Sequence, residues 1–118
     1  MHVRLPVLAL LAAVLVLAFA PAATPQPTAA KVATVTVTMQ ELKFTFSMRS
    51  VLHGVVVFKL VNKGVLPHDL KIGGKKSKLI AKGKSGTFRV TLSKGSKPYI
   101  CTVPGHAAGG MKGTLKVT

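Results

Sequence analysis

Apolar and polar positions alternate with a period of two along most of the chain. Val35, Val37 and Met39 alternate with Thr34, Thr36 and Thr38, which predicts a half-buried strand whose threonines face water. The parity then changes, and Leu42, Phe44, Phe46 and Met48 become the apolar members. A one-residue slip turns a strand over, so a bulge or loop is expected near Gln40–Glu41, with Met39 and Met48 on core faces. Residues 55–61 (VVVFKLV) form a near-continuous apolar run that fits a central strand. Residues 69–72 and 77–80 flank the turn signal Gly73-Gly74. Phe88, Val90 and Leu92 alternate again, Tyr99 to Thr102 reads as a short strand, and Leu115 and Val117 alternate in a last one. No stretch of useful length repeats apolar residues at helical spacing. About seven short strands separated by Gly, Lys and Ser turns predict an all-β protein, an antiparallel β-sandwich.

The first 23 residues break this pattern. MHVRLPVLALLAAVLVLAFAPAA has a short basic start (His2, Arg4), a dense Leu/Val/Ala run and small residues after it, the layout of a secretory signal. Ala18-Phe19-Ala20 and Ala20-Pro21-Ala22 both fit a cleavage site. An uncleaved membrane anchor is the alternative, since Leu5 to Ala23 is 19 residues, near the lower limit for a bilayer span. No Cys follows the run, so a lipid anchor there is not expected. Residues 24–30 continue as a Pro/Ala/Thr linker without periodicity. The domain is expected over residues 31–118, outside the cytoplasm, in the periplasm or beyond the cell.

The chain has 118 residues, 17 basic and 2 acidic, for a net charge of +15. From Lys31 onward only Arg4 is lost from that balance, so the 88-residue domain carries +14. Apolar residues make up 48%, too many for a disordered basic tail. The length excludes a Rossmann or barrel enzyme. A single Cys excludes an internal disulfide framework or a four-Cys metal site within the chain. A domain of this size is close to the limit for folding without a staple, which a metal could provide.

Candidate chemistry gathers in residues 99–113, YICTVPGHAAGGMKG. Cys101, the only cysteine, is followed by His106 and Met111, each after four intervening residues. A thiolate, an imidazole and a thioether therefore share one loop between strands. His68, in VNKGVLPHDL, is a second imidazole at the start of a strand. Two His, one Cys and a weak axial Met form the soft donor set of a mononuclear blue-copper site. Taken alone, Cys101 would read as a small buried hydrophobe and Met111 as core packing. The spacing of Pro104, Gly105, His106 and Met111 around Cys101 argues otherwise.

On these residues the chain resembles the cupredoxin family. CTVPGHAAGGMKGTL is similar to the azurin and rusticyanin ligand loops, and NKGVLPHDL to the plastocyanin stretch around its first His ligand. The resemblance implies a Greek-key β-sandwich holding one type 1 copper ion. Its ligands would be His68, Cys101, His106 and Met111. In the family the residue after the first His is usually Asn and ties the two ligand loops together. Here it is Asp69, which can accept a bond from the Thr102 region but cannot donate an amide hydrogen.

These readings predict a one-electron carrier cycling between Cu(I) and Cu(II), with the His106 ring edge as electron port inside a collar of Pro104, Ala107, Ala108 and Gly109. His68 should lie deeper. No general base, nucleophile or substrate pocket is evident, so an enzyme is not expected. A copper chaperone or storage protein using the same four residues is the alternative. Lys71, Lys75, Lys76, Lys78, Lys82 and Lys84 fall within 14 residues. They suit docking to an acidic redox partner or an anionic envelope surface, with the chain itself a monomer. Nucleic acid is not an expected partner, because no interleaved aromatic and basic stripe accompanies the charge.

Overall fold

In a computed structural model, described for residues 1–3, 6, 9, 11–26 and 31–118, nine strands build two facing sheets. They are β1 (Ala33–Gln40), β2 (Lys43–Phe46), β3 (Ser50–Val51), β4 (Gly54–Asn62), β5 (Lys71–Ile72), β6 (Lys75–Lys76), β7 (Ser85–Leu92), β8 (Gly95–Ile100) and β9 (Lys112–Val117). One sheet has the order β2-β1-β4-β7 and the other β3-β9-β8-β5-β6. The chain passes repeatedly between them, so that neighbours in sequence often lie in different layers.

The sandwich expected from alternation is what the chain forms, with two differences in its pairing. Nine strands replace about seven because three of them (β3, β5 and β6) are only two residues long, too short to leave a period-two signature. Two pairings, β1 with β4 and β3 with β9, run parallel rather than antiparallel. After the β1–β2 hairpin the chain crosses to the other sheet as β3, then returns beside β1 in the same direction. Alternation locates strands and their faces but carries nothing about a partner's direction.

The parity change falls where it was expected. Gln40 pairs with Lys43, leaving Glu41 and Leu42 as the hairpin turn, and Leu42 takes a positive φ of 55°. Phe44 and Phe46 then turn inward, half-buried. Met39 is fully buried, but Met48 lies beyond the end of β2 and is 42% exposed, so it is not a core residue. Segment 77–80 is likewise not a strand: β6 ends at Lys76, and only Ile80 bridges, to His68.

The core lies between the sheets. Val35, Val37 and Met39 of β1, Val56, Phe58 and Leu60 of β4, and Val90 and Leu92 of β7 face Ile72, Leu115 and Val117 across the gap. Each large side chain buried here contributes about 1.5–3 kcal/mol. Phe46 stacks on Tyr99 with centroids 4.2 Å apart, and Phe44 meets the same ring edge-on at 5.6 Å. This aromatic cluster joins the layers just below the 101–111 loop. Burial pushes the Tyr99 hydroxyl pKa up.

At the amino terminus, residues 11–26 are exposed and belong to no helix or strand. Arg4, much of the early apolar run and linker residues 27–30 lie outside the described residues. Among those described, no helix is long and apolar enough to cross a membrane.

Candidate metal centre

His68, Cys101 and His106 converge at one end of the sandwich. Each offers a donor atom, and all three donors lie within 4.8 Å of one another. His68 Nδ1 is 3.1 Å from His106 Nδ1, and Cys101 Sγ is 3.6 Å from the same His106 nitrogen. All three residues are buried, His68 completely, Cys101 to 1% exposure and His106 to 8%.

Two loops bring them there. The first leaves β4 at Asn62, which is fully bonded. Its Nδ2 donates to Leu66 O (2.8 Å) and Ile80 O (2.9 Å), while its Oδ1 accepts from Gly64 N (2.8 Å). His68 is then held by reciprocal backbone bonds with Ile80, at 3.1 and 2.8 Å. The second loop follows β8. Cys101 N–H donates to Met111 O, Met111 N–H to His106 O and His106 N–H to Val103 O, each at 3.0 Å. These bonds close the loop on itself. Met111 therefore sits opposite Cys101 on the backbone ladder, with its side chain fully buried. Gly105 and Gly110 take φ of 83° and 126°, a backbone region that side chains rarely tolerate.

The loops are joined by a carboxylate. Asp69 Oδ1 accepts the Thr102 N–H at 2.6 Å, and Oδ2 accepts the Thr102 hydroxyl. Asp69 is 4% exposed. The accepting role expected for Asp in place of Asn is the one observed. Burial pushes the Cys101 thiol pKa up, while bonds to the backbone N–H groups of Asp69 and Val103 pull it back. A cation beside the sulfur would reinforce that second effect, because a coordinating thiol is deprotonated.

The donor set fits a copper ion. Ligands at roughly 2.0–2.3 Å from a shared centre stand roughly 3–4 Å from one another, and the two separations from His106 Nδ1, 3.1 and 3.6 Å, lie in that range. One soft sulfur with two imidazoles, in a buried pocket, suits copper rather than calcium or magnesium.

A family model of copper-binding proteins, the plastocyanin/azurin family, matches residues 18–118. The chain belongs to this family. The cupredoxin is 50% identical over 44 residues to chemocyanin from Lilium longiflorum, a stretch covering 34% of the chain and 35% of that protein. It thus spans about a third of that curated relative's length. Among solved structures, it resembles reduced auracyanin from Roseiflexus castenholzii, with a TM-score of 0.61 and 20% identity over 73% of the chain and 97% of that one. It also resembles auracyanin B, with a TM-score of 0.58 and 26% identity over 80% and 93%.

Of the residues singled out in the sequence, His68, Cys101 and His106 are brought together, and Met111 is buried directly beside them in the loop. His106 is the least enclosed of the four, ringed by exposed Pro104, Ala108 and Gly109 and half-buried Ala107. His53 lies away from this centre and is exposed, with Nδ1 3.0 Å from Thr118 O.

Glu41 and Asn62 went unremarked in the sequence. Glu41 Oε1 accepts the Val65 and Leu66 N–H groups, both at 2.7 Å, and lies 3.3 Å from His68 Nε2. These bonds, the Leu66 one foremost, lower its carboxyl pKa to about 2. A signal did exist: Glu41 and Asp69 are the only acids in a chain with 17 bases.

Proposed function

We propose that the domain is an extracytoplasmic one-electron carrier with a type 1 copper site formed by His68, Cys101, His106 and Met111. The observation that carries this is the convergence of one thiol and two imidazole nitrogens within 4.8 Å in a buried pocket. Copper supplies the Cu(II)/Cu(I) couple when bound. Cys101 provides the thiolate, His68 and His106 the two nitrogens, and Met111 the weak axial sulfur.

The chain's own contribution is rigidity and dryness. Asp69, Asn62 and the closed 101–111 loop hold the donors in one arrangement, so little has to move when charge changes. Core side chains exclude water on the inner side. The slightly exposed His106 edge is the shortest way out, through the small side chains of Ala107, Ala108 and Gly109.

Exposed Lys71, Lys75, Lys76, Lys78, Lys82 and Lys84 favour an acidic redox partner. Lys76, Lys78, Lys84 and Arg89 also border a groove of about 670 Å³ between β6, the following loop and β7. Residues 1–23 are proposed to export the domain and 24–30 to link it. No substrate chemistry is assigned to it.

The test is spectroscopic and kinetic. Cu(II) added to the purified domain should give an intense thiolate-to-copper absorption that is lost in Cys101→Ser. In Met111→Leu the absorption should remain and the reduction potential shift. Electron exchange with an acidic cytochrome should be fast and slow down with salt. Slow exchange combined with ready copper release would overturn the carrier reading.

A further inference from the structure

The chain has two carboxylates among 17 basic residues, and both touch the ligand loops. Asp69 joins the loops through Thr102. Glu41 sits elsewhere, in the β1–β2 turn, in a chain rich in lysine. Its side-chain hydrogen-bond partner among the described residues is nonetheless an imidazole, that of His68. We infer that Glu41 is a positioning residue for His68, orienting its ring toward the metal and biasing the site toward the more highly charged copper state. This rests on the copper reading above.

The argument begins with the two nitrogens of the ring. Nδ1 faces the other donors, 3.1 Å from His106 Nδ1. Nε2 faces Glu41 Oε1 at 3.3 Å. A carboxylate can only accept, so the proton belongs on Nε2 and the free lone pair on Nδ1. That is the tautomer coordination through Nδ1 requires. An imidazole that donates its second N–H to a carboxylate is also a more basic ligand.

Glu41 is itself fixed. The Val65 and Leu66 N–H groups hold Oε1, each at 2.7 Å, just before the His68 position. Gly64 packs under the carboxylate so closely that a Cβ there would lie 2.5 Å from Oε1 and 2.7 Å from Oε2. The adjacent Leu42 lies against Gly109, on the loop of Cys101, His106 and Met111. Leu42 reaches it with a φ of 55°, a conformation that costs an L-residue roughly 1–2 kcal/mol. One hairpin turn thus touches both ligand loops, Glu41 on the His68 side and Leu42 on the other. A negative charge hydrogen-bonded to a ligand favours Cu(II) over Cu(I), so removing it should raise the reduction potential.

The experiment compares wild type, Glu41→Gln and Glu41→Ala. Gln keeps an oxygen that can accept all three N–H groups but carries no charge. In the copper-loaded Glu41→Gln protein the ratio of Cu(II) to Cu(I) affinity should fall about tenfold, a rise of 59 mV for a one-electron couple. In the metal-free proteins, nitrogen-15 NMR should show His68 as the Nε2–H tautomer in wild type and in Glu41→Gln. In Glu41→Ala it should become a mixture of tautomers. The inference is overturned by an affinity ratio in Glu41→Gln within about twofold of wild type. An unchanged His68 tautomer in Glu41→Ala overturns it equally. Should Glu41→Ala fail to fold, the potential of Glu41→Gln decides alone. Wild-type protein without thiolate-to-copper absorption would defeat the copper reading, whereas wild-type colour with an indifferent Glu41 defeats only this one.

Discussion

Replacing Asp69 by Ala removes a side chain that ties the two ligand loops together with two hydrogen bonds. The carboxylate accepts both the Thr102 N–H, at 2.6 Å, and the Thr102 hydroxyl. Hydrogen bonds to a charged partner contribute about 1.5–3 kcal/mol each. Asp69 is buried, but Thr102 is half-buried, so water can recover part of its loss. The net cost should be about 3 kcal/mol. For a domain of this length each kcal/mol moves Tm by about 4–8 °C, so Asp69→Ala should melt about 12–24 °C lower. Asp69→Asn is the control: its oxygen can keep the Thr102 N–H and its amide can donate to the hydroxyl, for a cost below about 1 kcal/mol. Urea unfolding of the metal-free protein, followed by circular dichroism and Tyr99 fluorescence, measures both. If Asp69→Ala unfolds within about 0.5 kcal/mol of wild type, the carboxylate does not tie the loops and the reasoning fails.

Three further outcomes are expected. Phe58 is fully buried between the sheets, so Phe58→Ala should cost about 3–5 kcal/mol in the same assay; a loss under 1 kcal/mol would place the core elsewhere. In Gly113→Ala the new methyl would meet the Tyr99 ring, 2.5 Å from Cζ and 2.9 Å from Cε2, and the displaced ring should cost about 1–3 kcal/mol, read as a lower urea midpoint with unchanged slope. A net charge of +15 with both carboxylates already engaged should repel itself, so adding salt from about 10 to 150 mM should raise Tm; a falling Tm would contradict it.

The strand faces were legible because their signal is local. The alternation of Val35, Val37 and Met39 with threonines reports burial directly, and the parity change located the Glu41–Leu42 turn. Met48 was misplaced because the alternation ran past the end of β2, where no opposing layer covers the side chain. Parallel pairing of β1 with β4 could not be read, since direction depends on how the chain crosses between sheets. The convergence of His68, Cys101 and His106 was legible because Cys101 and His106 share one loop at fixed spacing and because Pro67 and Asp69 flank His68. Glu41 stands 27 residues before His68, and only the folded hairpin brings it to the ring. No spacing rule could have found it, although the scarcity of acids marked it as worth explaining.

The most direct test of the account is a visible spectrum taken as metal-free protein is titrated with Cu(II), wild type beside Cys101→Ser. An intense charge-transfer band saturating at one equivalent in wild type and missing from the serine variant is the expected result. A pale, weakly held complex with the same spectrum in both proteins would contradict it.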